Sequence, residues 1–262
     1  MSSGAPVKPI RIRGAPAAGG RLPLLCAPLV AASRDGLLAE AAAAVAAQCD
    51  IVEWRVDFFG EIGNTAAVVE AGTALRAVLG GMPVLFTRRS AAEGGEPVPI
   101  SEAAVLELYD EICASGCVDL VDYEMSNGAA SVKAVRDASR RHGVGLVCSY
   151  HNFDATPPLP ALAAEFRRAQ AMEADVAKVS VMARAQGDVL ALLAATQQAS
   201  RELEPALIAV SMGPHGALSR VIGFAFGSAL TFGVASGASA PGQLPIAELR
   251  TGIEAARKAL GS

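Results

Sequence analysis

The chain has 262 residues, of which 52% are hydrophobic and 18% are charged, so it has ample apolar side chain for a large core and too little charge for a disordered protein. Its formal net charge of −4, the lack of any basic run and the scarcity of aromatic residues argue against nucleic-acid binding. The cysteine count is odd at five, which fits free thiols and predicts a cytoplasmic protein.

Two apolar stretches imitate membrane segments. Residues 22–32 follow a basic lead, as in a signal peptide, but Pro23 and Pro28 interrupt them. Residues 221–247 contain no charge, yet several glycines and Pro241 divide them. We therefore expect a buried strand in the first stretch, a helix, a strand and a loop in the second, and no contact with a membrane.

Short apolar runs alternate with longer amphipathic segments, a pattern typical of strands that alternate with helices. The strand candidates are Leu24–Val30, Asp50–Phe58, Pro83–Thr87, Leu120–Glu124, Gly145–Tyr150, Val176–Met182, Leu207–Met212 and Leu230–Ala235. The helix candidates are Ser33–Gln48, Thr65–Leu79, a helix that begins after Ser101, Asn127–His142, Leu159–Glu173, Gly187–Glu202, Gly216–Gly227 and Pro245–Leu260.

Eight apolar strands, each followed by a helix, favour an α/β fold of the (β/α)₈ TIM barrel type over an open doubly wound sheet. We predict a single domain over residues 1–262, with the barrel at 23–260 and an N-terminal extension or hairpin at 1–22. The alternating segment Val7–Arg13 predicts a β-hairpin that closes the barrel floor. Nucleotide-binding glycine motifs are absent from the sequence, and Cys113 and Cys117 lack the partners that a metal site needs.

Functional residues of such barrels lie at the carboxyl ends of the strands and in the loops that follow them. These positions carry, in chain order, Glu53, Arg55, Asp57, Arg89, Glu93, Asp122, Glu124, Ser149, Tyr150, His151, Lys178, Ser211, Arg220, Ser239 and Gln243. We therefore expect one polar site at this end of the barrel.

Lys178 lies in the apolar run Val176–Met182, where an ammonium group is costly to bury without a partner. Either it is a structural lysine paired with Glu53 or Glu124, or it is a desolvated amine that attacks a carbonyl carbon. His151 ends the preceding strand, where it is either a rim histidine held by hydrogen bonds or a proton shuttle beside the amine.

Three arginines near strand ends predict an anionic or polyhydroxylated ligand, because the guanidinium fork binds carboxylates. These are Arg55, Arg89 and Arg220. Arg88 is expected to point outwards into solvent, since neighbouring strand residues face opposite sides. His215 lies in a later loop within reach of a substrate, but we do not assign it to the site.

Six motifs occur in a fixed order along the chain. They are EWRVD at 53–57, TRRSAAEGG at 87–95, SYHNF at 149–153, Lys178 with Val181 and Met182, SMG at 211–213 followed by Ser219 and Arg220, and ASAPGQ at 238–243. In content and order these motifs resemble those of the type I 3-dehydroquinate dehydratase family, and the resemblance covers residues 24–260.

The resemblance implies a (β/α)₈ barrel, usually a homodimer, that converts 3-dehydroquinate to 3-dehydroshikimate in the shikimate pathway without a metal or an organic cofactor. It implies that Lys178 forms an imine with the substrate ketone, that His151 moves protons and that Glu93 orients His151. It also implies that the substrate carboxylate is held by Arg220, Ser239 and Gln243, and that the ring hydroxyls or the surrounding polar shell involve Glu53, Arg55 and Arg89.

Two other functions fit the same lysine. A class I aldolase would also use an imine-forming lysine on the sixth strand, but it would break a carbon–carbon bond. A non-catalytic sensor of quinate-type or shikimate-type acids would bind ligand without turnover. The Glu-Gly-Gly loop at 93–95 and the Ser-Tyr-His motif at 149–151 argue against the aldolase, and the presence of both Lys178 and His151 argues against the sensor.

Overall fold

A curled parallel sheet forms the centre of the computed structural model, which describes residues 7–17, 23–236 and 240–261. The strands are β1 (Arg11–Ile12), β2 (Ala15–Pro16), β3 (Leu24–Leu29), β4 (Ile51–Arg55), β5 (Val84–Thr87), β6 (Leu120–Glu124), β7 (Gly145–Asn152), β8 (Val176–Met182), β9 (Ala206–Met212), β10 (Leu230–Val234) and β11 (Leu244–Pro245). The main sheet has the order β11-β10-β3-β4-β5-β6-β7-β8-β9, and every pair of neighbours is parallel.

The strands β3 to β10 form the predicted barrel. The gap between β9 and β10 is bridged by a parallel pairing of Leu207 with Ser228, and the Ala229 N–H donates to the Leu207 carbonyl at 2.7 Å. The predicted α/β TIM-barrel fold is therefore confirmed. One strand was predicted too long, because β4 ends at Arg55 and a turn of 3₁₀ helix follows at Val56–Phe58.

Helices surround the sheet. They are α1 (Arg34–Ala46), α2 (Thr65–Leu79), α3 (Glu102–Ala114), α4 (Ala129–Arg141), α5 (Leu159–Ala171), α6 (Gln186–Glu202), α7 (Gly213–Gly216), α8 (Ser219–Ile222) and α9 (Ile246–Ala259). Three of them begin where a polar side chain accepts a backbone N–H of the first turn, at Ser33, Asn64 and Ser101. Within the described ranges, no helix combines the length and the apolar character needed to cross a membrane.

The prediction of one helix at Gly216–Gly227 is wrong. The structure has α7, α8 and a turn of 3₁₀ helix at Gly223–Phe226 instead. Glycine is a poor residue for a helix interior, and Gly227 ends the segment with a positive φ of 109°. This broken connection holds Arg220 near the barrel mouth, where it lines the central cavity.

The N-terminal segment closes the barrel floor, as predicted. Strands β1 and β2 pair antiparallel as a hairpin. On either side of it, Ile10 and Ala17 are 1% and 5% exposed and pack in the apolar cluster that fills the barrel interior, next to Leu24 and Val176. A larger apolar layer separates the sheet from the helices.

A repeated hydrogen bond fixes the lower ends of the strands. An aspartate directly precedes each of β4, β6 and β8, and its carboxylate accepts a backbone N–H from the neighbouring strand, namely Asp50 from Leu25, Asp119 from Val84 and Asp175 from Leu146. The hydroxyl of Ser228, just before β10, accepts the N–H of Ala209 in the same way. These carboxylates therefore lie at the end of the barrel opposite the strand carboxyl ends.

Candidate active site

A cavity opens at the carboxyl ends of the barrel strands. It is lined by Glu53, Arg55, Arg89, Glu93, Gly94, His151, Phe153, Lys178, Ser180, Val210, Met212, Arg220, Phe232, Ala240 and Gln243. Eight of the nine residues to which the sequence resemblance assigns a role therefore line one cavity. Ser239, the ninth, lies outside the described residues.

Strand geometry explains why these side chains meet. Residues two apart on a strand face the same side, so Glu53 and Arg55 on β4 both point into the barrel, as do Lys178 and Ser180 on β8. Asp57 does not line the cavity, because the chain has already turned away from the strand there. The strand residues of the site are thus alternate residues near the strand ends, whose side chains point into the barrel.

Lys178 is 4% exposed and its ammonium group lies between two carboxylates. Its Nζ is 2.8 Å from Oδ2 of Asp122 and 3.2 Å from Oε1 of Glu53, and 4.9 Å from the ring centre of Phe232. The expected pairing with Glu53 is confirmed, but the alternative partner, Glu124, does not contact Lys178. Instead Glu124 accepts from Arg89 at 3.1 Å and from the backbone N–H of Ser90 at 2.7 Å.

Asp122 is a fully buried anion at the base of the site. Burial raises the pKa of this carboxyl, but the adjacent Arg89 and Lys178 cations outweigh burial and hold the pKa well below its usual range. Its Oδ1 accepts the Ser149 hydroxyl at 2.6 Å, and its Oδ2 is 2.8 Å from the Arg89 guanidinium. Asp122 therefore carries a fixed negative charge beneath Lys178.

His151 and Glu93 form a second unit of the cavity, with His151 on β7, the strand next to that of Lys178. The Nδ1 atom of His151 is 2.9 Å from Oε2 of Glu93, and the His151 backbone N–H donates to the same oxygen at 3.0 Å. The Ser126 hydroxyl donates to the other Glu93 oxygen. When Glu93 is ionised, the proton sits on Nδ1 of His151 and Nε2 is left free to accept one.

Burial and neighbouring charges shift both members of this pair. Burial, then the cations Arg89 and Lys178, lower the pKa of His151 well below its ordinary value, so the imidazole is neutral at pH 7. Burial, assisted by the Glu124 charge, raises the pKa of Glu93 to about 7. A neutral imidazole with an oriented ring is a competent proton acceptor.

Arg220 differs from the other arginines of the cavity. It is 3% exposed, yet among the described residues its donor groups contact only the backbone carbonyls of Pro241 at 3.0 Å and Phe232 at 3.5 Å. None of the ion pairs found within the described ranges includes it, and burial lowers its pKa to about 10. A buried cation of this kind is suited to an anionic ligand.

Two sequence interpretations need correction. Arg88 points away from the cavity as expected, but it is 6% exposed and pairs with Glu102 on α3, so its expected contact with solvent is wrong. Packing against α3 and the ion pair with Glu102 keep the Arg88 guanidinium out of solvent. His215 is exposed and does not line the cavity.

The cavity also contains residues that the sequence analysis did not assign. They are the apolar and small side chains Phe153, Ser180, Val210, Met212, Phe232 and Ala240, together with Gly94. Strand parity was the available signal, since Ser180 lies two positions after Lys178 and Phe232 lies on the last barrel strand. Apolar residues at inward positions are expected in any barrel, however, and this makes them hard to recognise as part of a site.

Comparison with known proteins shows similarity over nearly the whole chain. A family model described as type I 3-dehydroquinase matches residues 25–258. A protein of Albidiferax ferrireducens named 3-dehydroquinate dehydratase is 51% identical over 254 residues, which cover 97% of this chain and 96% of the relative. One of the same name from Aromatoleum aromaticum is 41% identical and covers 96% of each chain.

Solved structures agree over the same length. The crystal structure of 3-dehydroquinate dehydratase from Geobacillus kaustophilus has a TM-score of 0.93 at 42% identity and covers 97% of this chain and 98% of its own. The type I enzyme from Clostridium difficile, crystallised with covalent modified comenic acid, has a TM-score of 0.91 at 34% identity and covers 97% and 100%. The fold and the sequence therefore match the same proteins.

Proposed function

The chain belongs to the type I 3-dehydroquinase family of hydro-lyases, and we propose that it removes water from 3-dehydroquinate to give 3-dehydroshikimate through an imine on Lys178. The observation that carries this proposal is the buried Lys178 amine, which shares one cavity with the oriented imidazole of His151 and with Arg220, a cation that has no anionic partner among the described residues. Together these supply a nucleophile, a proton carrier and a binding group for an acid.

The chemistry requires an electron sink next to the carbon that loses a proton. Nζ of Lys178 adds to the C3 carbonyl carbon and water leaves, which forms a cationic imine. His151 takes a proton from C2 through Nε2, and the electron pair moves into the imine to give an enamine. The electrons then return, the C1 hydroxyl leaves as water with the proton from His151, and hydrolysis of the imine releases the product and Lys178.

Glu93 supports the proton transfers without touching the reacting carbons. Its two contacts with His151 fix the ring and keep the proton on Nδ1, so that Nε2 faces the cavity. An ionised Glu93 also stabilises the imidazolium that forms after C2 is deprotonated. Glu93 is thus a positioning residue for His151.

The remaining polar side chains would hold the substrate. Arg220 would bind the carboxylate together with Gln243, which lines the same cavity, and with Ser239. Glu53 and Arg55 on β4 and Arg89 just after β5 line the same cavity and would contact the ring hydroxyls. Carboxylate and hydroxyl contacts together would place the ketone against Lys178.

The first test is the addition of 3-dehydroquinate to purified protein treated with a chelator, with the ultraviolet absorbance of the conjugated enone as the signal. A rise in absorbance is expected, and tight binding without a rise would favour the sensor instead. Turnover of aldol substrates in its place would favour the aldolase.

The imine is tested by reduction with borohydride in the presence of substrate, followed by mass spectrometry of the peptide that contains Lys178. The covalent adduct and turnover should both be lost in Lys178→Ala. Lys133→Ala is the matched control, because Lys133 lies on the exposed face of α4, where it pairs with Asp137. Full turnover by Lys178→Ala would overturn the mechanism.

We further propose that the chain is one domain over residues 1–262, forms a homodimer and acts in the cytoplasm within the shikimate pathway. The hairpin packs on the apolar cluster inside the barrel and the helices pack on the apolar layer outside it, so both pack on the same sheet, which supports a single domain. All five cysteines are buried free thiols, which fits a reducing compartment. Light scattering on the purified protein tests the dimer, with a mass of about twice 26.6 kDa expected.

A further inference from the structure

Asp57 has a side chain with 0% exposure that does not line the cavity, yet it binds to two parts of the site. Its Oδ1 accepts Nε of Arg55 at 2.8 Å and the backbone N–H of Arg89 at 3.3 Å. Its Oδ2 accepts Nη2 of Arg55 at 2.7 Å and the backbone N–H of Glu96 at 3.1 Å. Each carboxylate oxygen thus receives one guanidinium donor and one backbone donor.

The two backbone donors bracket the segment 89–96, which contains Glu93. Within this segment the Gly95 N–H donates to the Ser90 carbonyl at 2.8 Å, and a Cβ at Gly95 would lie 2.1 Å from the Arg89 carbonyl oxygen. The segment is therefore a tight loop whose two ends are held by one buried carboxylate. The shape of this loop places the Glu93 carboxylate against Nδ1 of His151.

The guanidinium of Arg55 is oriented by the same carboxylate. Two of its nitrogens, Nε and Nη2, are used by Asp57, and the Phe58 ring lies 5.0 Å from its central carbon. Arg55 lines the cavity, so its remaining nitrogen is the one available to a ligand. Orientation of Arg55 and closure of the loop around Glu93 therefore have one common cause.

We infer that Asp57 is a positioning residue of the site, whose carboxylate couples Arg55 on β4 to the loop that places Glu93 against His151. A side chain outside the cavity then determines how two sides of the cavity are arranged. This inference rests on the proposed function only where turnover is measured, since the position of Glu93 is also reported by the titration of His151 without substrate.

The simpler explanation is that Asp57 only neutralises a buried arginine and stabilises the fold. Asp119 provides the matched control for that explanation. It is also a buried carboxylate, it also accepts a backbone N–H, from Val84, and it also pairs with an arginine, Arg76 at 2.5 Å, but at the opposite end of the barrel. Loss of either carboxylate should cost stability, whereas only Asp57 should affect the site.

The expected direction of the titration follows from the charges around His151. The charged groups that act on it are Glu93, Arg89, Lys178, Asp122 and Arg55. Asp57→Asn leaves the Arg55 cation uncompensated and lets Glu93 move away from Nδ1. Both changes disfavour the imidazolium, so the pKa of His151 should fall below its wild-type value.

The experiment measures the pKa of His151 by ¹⁵N NMR in substrate-free protein and the pH profile of kcat, in wild type, Asp57→Asn and Asp119→Asn. Asp57→Asn is expected to lower the pKa of His151 and to reduce kcat by at least about tenfold, a typical loss for a misplaced acid–base group. Asp119→Asn is expected to leave both within about twofold of wild type. Equal titration and equal kcat in the two variants would overturn the inference.

A double variant guards against poor folding of Asp57→Asn. Arg55→Gln with Asp57→Asn removes both charges, so no unpaired cation is left in the interior. Only the substrate-free titration of His151 is read in this variant, because Arg55 also faces the ligand and its loss would lower turnover under either explanation. If Asp57 holds the loop, the pKa of His151 in the double variant still differs from the wild-type value. If Asp57 only neutralises Arg55, this pKa returns to the wild-type value and the inference fails. A wild-type protein that does not convert 3-dehydroquinate would instead contradict the proposed function.

Discussion

Replacement of Arg220 should separate what this residue costs the fold from what it contributes to binding. Arg220 is 3% exposed and donates only to backbone carbonyls among the described residues, so its charge has no compensating anion in that part of the chain. Arg220→Met keeps the length of the side chain and removes the charge. The variant should be at least as stable as the wild type and should bind substrate poorly.

The stability estimate follows from the pKa of Arg220. Burial lowers it from 12.5 to about 10, which corresponds to a cost of roughly 3 kcal/mol for the charged side chain in the folded protein. Because the folded pKa is the lower one, this cost is present at pH 7 and is relieved only as the pH rises through about 10. The two carbonyl hydrogen bonds offset about 1 kcal/mol each. The free energy of unfolding of Arg220→Met should therefore match or exceed the wild-type value by about 1 kcal/mol.

The binding estimate has the opposite sign. Charge-assisted hydrogen bonds to a carboxylate contribute up to about 3 kcal/mol, so their loss should raise KM for 3-dehydroquinate by roughly 150-fold. The carboxylate does not change during the reaction. Binding of substrate and transition state should thus weaken together, and kcat should change much less than KM.

Urea unfolding followed by circular dichroism, together with steady-state kinetics, measures both effects. Arg136→Met is the matched control, because Arg136 is 5% exposed but has an anionic partner, Asp175 at 2.6 Å. That control should lose about 1–3 kcal/mol of stability and keep its KM. An Arg220→Met variant destabilised as much as the control, with KM unchanged, would refute the reasoning.

Three further results are expected. His151→Ala should form the Lys178 imine but turn over at least about 100-fold more slowly, so borohydride should trap more substrate adduct than in the wild type; equal trapping with normal kcat would contradict the role of His151. Burial raises the pKa of Glu93 to about 7. The free energy of unfolding of the wild type should therefore fall relative to that of Glu93→Gln, by on the order of 3 kcal/mol, as the pH rises from about 4.5 to about 7. The same pH dependence of urea unfolding in both proteins would exclude this. Gly94 has a φ of 82°, and a Cβ added there would lie only 2.3 Å from the Phe153 ring. Gly94→Ala should therefore lower the free energy of unfolding by about 1–3 kcal/mol and should also lower kcat. An unaltered melting temperature would show that the loop relaxes.

Strand parity explains why the sequence predicted the inward face of the site. A two-residue period places Glu53 with Arg55, and Lys178 with Ser180, on one side of their strands whatever the loops do. The motif order then identified loop residues such as Glu93, which no periodicity could have found. The alternation of residues along a strand was therefore sufficient to predict which side chains point into the barrel.

Partner choice across the barrel needed three-dimensional information. In backbone register Glu124 is paired with Ser149 and Ser149 with Lys178, which makes Glu124 the natural partner for the lysine. Barrel strands are tilted, however, and with a shear of about eight the level positions shift by about one residue per strand. Across two strands this shift brings Asp122, two residues earlier on β6, to the height of Lys178.

The acidic residues of this chain have two uses that sequence position distinguishes. Those directly before a strand, such as Asp119 and Asp175, accept backbone N–H groups of the neighbouring strand at the barrel floor. Those within or just after a strand, such as Asp122 and Asp57, hold cations at the opposite end. All strands of a parallel barrel begin at the floor and end at the mouth. A carboxylate a few residues before a strand therefore serves the fold, whereas one a few residues later, near the end of the strand, serves the site.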